Sequence, residues 1–309
     1  MKIGISLDNT LNERWSKEIT IIKKIISSAG GDVILKTAFG LADSQESDVR
    51  DLVNIDEVNV LIIVPIDAKQ SADMADFAKS KGVKVIAYSR PIPTEAIDYH
   101  IRFDVPGIGS NQAEYLAQNQ PFGNYLIVHG PTTDLNTAIL LKGQMDVLNQ
   151  NPGIKILETS FLDGWTKTKA LQTMRQLLAV HGDQVTAVLA ANDMIAEAAH
   201  DCLYEMVKND VLISGLDAEV KACQRILNEH QSMTVLLPPN DIAKCVGNTA
   251  LYLASKDIKY IADYDVIEDG IGEENIQSKC INVESIVLDK SNVRELVELH
   301  KVFPIGWLR

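Results

Sequence analysis

No segment of the chain approaches the roughly eighteen uninterrupted apolar residues that a membrane-crossing helix needs, which sets aside an integral helical protein. A basic start followed by an apolar core and a small-residue cleavage point is also missing, since Lys2 leads straight into Ile3-Gly4-Ile5-Ser6-Leu7. The expectation is a chain that is either cytosolic or has had an export segment removed. Cysteine is scarce: Cys202, Cys223, Cys245 and Cys280 stand far apart with no C-x-x-C pair, so neither a zinc site nor a redox dithiol is signalled. Free, buried thiols are expected. Six histidines, among them His100 and His129, show no metal-ligand pairing, and no metal or cofactor is expected. Reactive loops are absent too. There is no G-x-S-x-G elbow, no G-x-x-x-x-G-K-[ST] loop, and no G-x-G-x-x-G after the first strand, which ends in Leu7-Asp8-Asn9. Positive charge is in deficit, with 29 basic against 42 acidic residues and a net charge of −13. Because non-specific nucleic-acid affinity comes from clustered Lys and Arg, no nucleic-acid partner is expected.

What is present is ordinary globular material in double quantity. At 309 residues the chain is about twice a typical domain, with 46% apolar and 23% charged residues. Short Val- and Ile-rich runs alternate with longer amphipathic stretches, the rhythm of βα units around parallel sheets. The pattern predicts strands over 2–7, 32–36, 58–64, 83–88, 124–129, 154–159, 185–190 and 211–215, with a further short run from Tyr99 to Phe103. Between the first two strands, Trp15, Ile19, Ile22 and Ile26 recur on one helical face and Gly30-Gly31 is placed to end the helix. A second series starts near Asn124, after Pro121-Phe122-Gly123, so two similar lobes are expected.

Open α/β sheets bind ligands beyond the carboxyl ends of their strands, and here those ends are polar. The first half carries Asp8-Asn9, Asp67, Ser89-Arg90 and Asp104; the second carries Asp134 and Asn136, Asp163-Gly164-Trp165, Asn192-Asp193 and Asp217. About half of these are expected to be simple helix caps. Taken as a set facing one crevice, they suit a hydroxyl-rich ligand. A sugar offers hydroxyls that donate and accept, matched by Asp, Asn and Arg, and apolar C–H faces matched by a flat aromatic ring. Arg14 and Arg90 each present a rigid fork of donors, with a structural ion pair as the equally weighted alternative. Trp165, in a loop after an Asp-Gly pair, is read as a stacking platform; Trp15 either covers the ligand or packs on the core face of its helix, the core reading being favoured by its spacing with Ile19.

Lys2-Ile3-Gly4, Glu13-Arg14-Trp15, Val58 to Pro65 and Lys84-Val85-Ile86-Ala87-Tyr88-x-Arg90 resemble the D-xylose-binding protein family. The match continues through Asp98-Tyr99, Gly143-Gln144-Met145, Asp163-Gly164-Trp165, Ala191-Asn192-Asp193, Ile213-Ser214-Gly215-x-Asp217-Ala218 and Gln231-Ser232-Met233-Thr234-Val235. The resemblance implies a periplasmic-binding-protein type I fold: two Rossmann-like lobes with parallel sheets joined by a three-strand hinge. It places an N-terminal lobe at 1–104 plus 240–280 and a C-terminal lobe at 105–239 plus 281–309. It implies sugar contacts from Asp8, Arg14 and Arg90 on one side and Asn136, Trp165, Asn192 and Asp217 on the other. Three departures stand out: Ser89 where the family usually has Asp, Leu237 where Lys is usual, and Leu216 where Gln is usual.

The function implied is an extracytoplasmic monosaccharide binder, for D-xylose or a related pentose, that closes on its sugar and reports to a membrane partner. That partner is either the permease of an ABC importer or the extracytoplasmic domain of a sensor histidine kinase. The departures and the apolar ending Val302-Phe303-Pro304-Ile305-Gly306-Trp307-Leu308 lean slightly towards a sensor, although docking of that ending on its own lobe is the plainer expectation. A lactose-repressor-type regulator would carry a helix-turn-helix headpiece before strand one. A glycosidase reading of Asp8 and Asp217 ranks below binding, because carboxylates are routine in sugar sites. No enzyme activity is expected.

Overall fold

The alternation of apolar and amphipathic stretches produces βα repeats in a computed structural model that describes residues 1–8, 10, 13–272 and 275–308. By their internal contacts the repeats form two units. Unit 1 comprises Met1–Phe103, Thr133–Leu135 and Pro239–Val283, and unit 2 comprises Asp104–Thr132, Asn136–Pro238 and Glu284–Arg309.

Unit 1 begins with β1 (Lys2–Leu7), α1 (Glu13–Ser28), β2 (Asp32–Thr37), α2 (Ala42–Asn54), β3 (Val60–Ile63), α3 (Ala68–Ser80), β4 (Lys84–Tyr88) and β5 (Tyr99–Phe103). Ile3, Ile5 and Leu7 are fully buried, as are Leu61, Ile62 and Ile63. Helices cover both faces of a parallel sheet, so its strands read as continuous apolar runs rather than as alternation. On α1, Ile19, Ile22 and Ile26 are buried as their spacing predicts, each worth about 1.5–3 kcal/mol on leaving water. The helix stops where Gly30 turns to φ +79°, with the Gly31 N–H donating back to the Ile26 carbonyl.

In unit 2 follow α4 (Val105–Asn119), β6 (Gly123–His129), α5 (Leu135–Leu148), β7 (Ile154–Phe161), α6 (Lys167–His181), β8 (Ala187–Ala190), α7 (Asp193–Glu205), β9 (Leu212–Ile213), α8 (Val220–Leu227) and β10 (Met233–Leu236). The chain returns to unit 1 for α9 (Pro239–Ser255), β11 (Ile267–Ile271) and β12 (Ile276–Val283), then ends in unit 2 with β13 (Ile286–Asp289) and α10 (Val293–Leu299).

The sheet of unit 1 runs β11-β12-β5-β4-β3-β1-β2, parallel throughout except for the β11–β12 pair at its edge. That hairpin has no counterpart among the expected strands. Its first strand reads Ile-Glu-Asp-Gly-Ile, half exposed and acidic, so it carries the charge of an edge strand rather than an apolar run. Unit 2 has a parallel sheet, β7-β6-β8-β9, and an antiparallel pair, β10–β13. The strand expected over 211–215 narrows to two residues. The Gly215 carbonyl is instead taken by the Gln112 amide at 2.9 Å and the Val235 N–H at 3.2 Å.

Val302, Phe303 and Leu308 pack with Ile226, Leu288, Val293 and Val297, so the apolar ending docks on the core of its own unit in part, while Pro304, Ile305, Gly306 and Trp307 between them stay exposed. All four cysteines are free and buried, as expected. Among the described residues no helix is long and apolar enough to cross a membrane.

Candidate functional site

Each sheet reverses its strand order at one place, and side chains that follow the strands there are the ones exposed to a ligand. In unit 1 the reversal lies between β1 and β3, because β2 joins one edge of β1 while β3, β4 and β5 continue from the other. Asp8 follows β1, and among the described residues its Oδ1 is buried with no hydrogen-bond partner. An acceptor left unsatisfied in this way is costly unless a donor arrives. Asn9, named beside it from the sequence, lies outside the described residues.

Arg14 comes from the first turn of α1. Its Nε donates to Glu18 Oε1 at 2.8 Å and its Nη2 to Ser89 Oγ at 3.1 Å. The guanidinium lies 4.5 Å from the centre of the Trp15 ring and 5.5 Å from that of Phe103. Trp15 is therefore not plain core: it is half-buried, meets Tyr88 edge-on at 5.5 Å, and braces Arg14. Arg90, two residues beyond β4, donates from Nη1 to the Pro65 carbonyl and pairs through Nε with Asp134, both at 2.9 Å. The latter carboxylate belongs to Thr133–Leu135, the short stretch that clusters with unit 1. Ser89, between Tyr88 and Arg90, takes the left-handed φ of +66°, an uncommon conformation that a serine holds only where its surroundings impose it.

In unit 2 the reversal lies between β6 and β8. Trp165 is half-buried and rests on Gly130, the residue after β6; a Cβ at that position would come within 2.1 Å of the indole. Glycine is thus what makes room for the ring at the strand end. Asn192 caps α7, its side-chain oxygen accepting the Ile195 N–H at 3.1 Å. Asp217 sits at φ +101° and Ala218 at +51°, so this loop is held in a conformation that side chains rarely adopt.

The holding groups are next door. Asp193 is fully buried; its Oδ1 accepts from Gln231 Nε2 and its Oδ2 from the Glu219 N–H, both at 2.9 Å. The Asp193 N–H donates to the Leu216 carbonyl, and a Cβ on Gly215 would collide with Asp193 and Gln231. Burial raises the Asp193 carboxyl to about 7, with the Asp217 charge adding to that rise against the hydrogen bonds that lower it. A second buried chain runs from His129 Nε2 to Gln144 Oε1 at 2.9 Å, and from Gln144 Nε2 to Gln112 Oε1 at 2.8 Å. Gln112 ends that chain on the carbonyls of Ala190 and Gly215, just before Asn192 and Asp217 in sequence.

Within unit 1, then, Asp8, Arg14 and Arg90 stand at strand ends or in the helix turn that follows, and within unit 2 so do Asn136, Trp165, Asn192 and Asp217. Asn136 lies in the first turn of α5, half-buried. Asp67 and Asp104 act as helix caps, bonding the N–H groups of Gln70 and Gly107. Asp163 is exposed and pairs with Lys169 at 2.6 Å. Of the three departures, Leu237 is buried at 4% exposure, and Leu216 is half-buried and bridged to Val235. Glu18, Tyr88, Gly130 and Gln112 were not singled out from the sequence, and Glu18 alone had left a signal, its i, i+4 spacing from Arg14. Among the described residues no group of three or more His, Cys, Asp or Glu is arranged to hold a metal ion.

The chain matches the sequence model of a family described as "Periplasmic binding protein domain" over residues 3–257. It is 33% identical over 301 residues to the D-xylose-binding periplasmic protein of Haemophilus influenzae, covering 96% of this chain and 89% of that protein. The protein of the same description from Escherichia coli is 33% identical over 259 residues, covering 82% and 78%. Among solved structures, an ABC transporter solute-binding protein from Clostridium phytofermentans with bound β-D-glucose aligns over 100% of both chains, with a TM-score of 0.88 and 23% identity. At that identity the likeness speaks for the fold.

Proposed function

The chain belongs to the periplasmic binding protein family, within its D-xylose-binding branch, and from that premise we propose that it is an extracytoplasmic binder of a pentose, D-xylose foremost. The observation that carries the reading is the 33% identity to a D-xylose-binding protein along 96% of the chain. The strand-end chemistry supports it. Asp8 offers an unsatisfied acceptor to a sugar hydroxyl, Arg14 and Arg90 offer donors, and Trp165 offers an indole for the C–H face of the ring. Asn192 spends its oxygen on a helix cap and contributes its amide N–H groups; Asn136 and Asp217 complete the set.

The protein acts as a binder rather than an enzyme, and its membrane partner is the permease of an ABC importer that prefers the loaded form. The apolar ending favours neither partner: Val302, Phe303 and Leu308 are spent on the core of unit 2, while Ile305 and Trp307 stay exposed.

Calorimetry with D-xylose, D-ribose, L-arabinose, xylitol and D-glucose tests the reading. D-xylose is expected to bind with a Kd of about 1 μM or tighter, about −8 kcal/mol. Absence of binding by every pentose, or chemical conversion of any of them, overturns it. Capture from solubilised membranes with and without D-xylose decides the partner: a permease supports the importer and a histidine kinase replaces it.

A further inference from the structure

Glu18 holds a carboxylate where its side chain has no exposure to water. Both oxygens are engaged: Oε1 accepts from Arg14 Nε at 2.8 Å and Oε2 from the Tyr88 hydroxyl. Tyr88 is itself fully buried at the end of β4, and burial together with the Glu18 charge pushes its acidity well upward, so it stays a donor. Arg14 is fixed on three further sides: Ser89 Oγ takes Nη2, and the rings of Trp15 and Phe103 flank the guanidinium.

A buried ion pair is a poor way to stabilise a fold, since desolvation consumes most of what the attraction returns and an apolar pair of the same volume often does better. Its retention inside α1 therefore needs another reason. Arg14 supplies one: a guanidinium on a long stem is useful to a ligand only when its rotamer is fixed before the ligand arrives. Ser89, the neighbour at 3.1 Å, carries no charge, whereas Glu18 brings a carboxylate to Nε from one turn along the same helix.

We propose that Glu18, backed by the Tyr88 hydroxyl, is the positioning residue of Arg14, holding its guanidinium in the geometry that meets the sugar. This rests on the reading of Arg14 as a sugar contact. Glu18 itself touches no ligand; it acts through Arg14, and Ser89 marks the second place from which a carboxylate can do the same work.

The test has a ligand-free arm and a binding arm. In ¹⁵N spectra of the unliganded protein, the Arg14 Nε–H, assigned with Arg14→Lys, is expected to exchange with water at least about tenfold faster in Glu18→Gln, the loss of a charge-assisted bond. D-xylose affinity is expected to fall at least about tenfold in Glu18→Gln and to recover most of that loss in Glu18→Gln/Ser89→Asp, because the new carboxylate reaches Nη2. A purely structural Glu18 would not be rescued from position 89. Unchanged exchange in Glu18→Gln, or a folded double variant with no recovery, overturns the proposal. Should Glu18→Gln fail to fold, Tyr88→Phe carries the test, with affinity about threefold weaker expected and wild-type affinity overturning. If the wild-type chain binds no sugar, the functional reading falls alone and the exchange arm still judges the anchor.

Discussion

The strand ends of the two units are built in different chemical styles. In unit 1 arginines are held by carboxylates, Arg14 by Glu18 and Arg90 by Asp134, with side chains only 12% and 19% exposed on the arginine side. In unit 2 the described supports are of another kind. Trp165 lies on a glycine, Asn192 is tied to a helix terminus, and Asp217 is set by a left-handed backbone that the buried Asp193 and Gln231 brace. An ion pair fails expensively when one partner goes, because the other stays buried. A platform that rests on space and backbone geometry loses mainly its own contact. Under the proposed reading, charges in unit 1 serve fold and ligand together, whereas unit 2 separates the two tasks.

Substituting one proposed sugar contact from each unit breaks or upholds this contrast. Arg90→Ala takes the cation from Asp134, whose side chain is 4% exposed, and is expected to cost about 3–5 kcal/mol of stability. It should also weaken sugar binding by about 2 kcal/mol or more. Trp165→Ala is expected to weaken binding by a comparable amount, about 2 kcal/mol, through the lost stacking face, with a loss of stability less than half that of Arg90→Ala. Urea unfolding and calorimetry of both variants measure the split. If Trp165→Ala proves as destabilising as Arg90→Ala, the two units are not built differently in the sense argued here.

The same contrast governs how much of the molecule could be read in advance. β1 was legible to the residue because it is buried from Ile3 to Leu7 and, Ser6 apart, those residues form one apolar run. The β11–β12 hairpin was not, since Glu268 and Asp269 give an exposed edge strand no apolar signature. Arg14 and Arg90 were legible as charges beside strand ends. Gly130 was not, because its role depends on Trp165, which is distant in sequence and adjacent only after folding. Asp193 was seen as one polar residue among several, and its bracing of the Asp217 loop follows from Gln231 and Glu219, which no local pattern links to it. Trp15 was legible in part: its spacing with Ile19 points to packing, which it has against Tyr88, but not to the second task of its ring, which carries Arg14.

A buried histidine in each unit sharpens the comparison through pH. His100 in unit 1 and His129 in unit 2 are both lowered to about 4, chiefly by burial. Each is neutral when folded and takes up a proton near 6.5 when unfolded, so its contribution is present above about 6.5 and lost as pH falls towards 4, about 1.4 kcal/mol per pH unit. In unit 2 Asp193 works in the opposite direction. Raised to about 7, it contributes most at low pH and loses that contribution as pH rises through 7. Between pH 6 and 5 the two effects in unit 2 offset each other, while in unit 1 His100 is opposed by Asp48, a partly exposed carboxyl raised by its own desolvation. Hydrogen exchange, corrected for the intrinsic rate at each pH, is expected to show unit 1 losing protection first on acidification. In Asp193→Asn the offset disappears and unit 2 should weaken alongside it. Equal acid sensitivity of the two units in the wild type would contradict the assignment.

The smallest effect separates a cap from a cap that also binds. Asp67 starts α3 in unit 1 and Asn192 starts α7 in unit 2, each accepting a backbone N–H three residues on, at 2.9 and 3.1 Å. Replacing either with Ala is expected to cost about 1 kcal/mol of stability, the worth of a side-chain cap. Only one of them is proposed to reach the sugar. D-xylose affinity should therefore stay at the wild-type value in Asp67→Ala and fall in Asn192→Ala, by about the worth of a single neutral hydrogen bond. If calorimetry finds the two variants indistinguishable from wild type in affinity while both lose the same stability, Asn192 is a cap and nothing more. The ligand-facing set of unit 2 then shrinks to Asn136, Trp165 and Asp217.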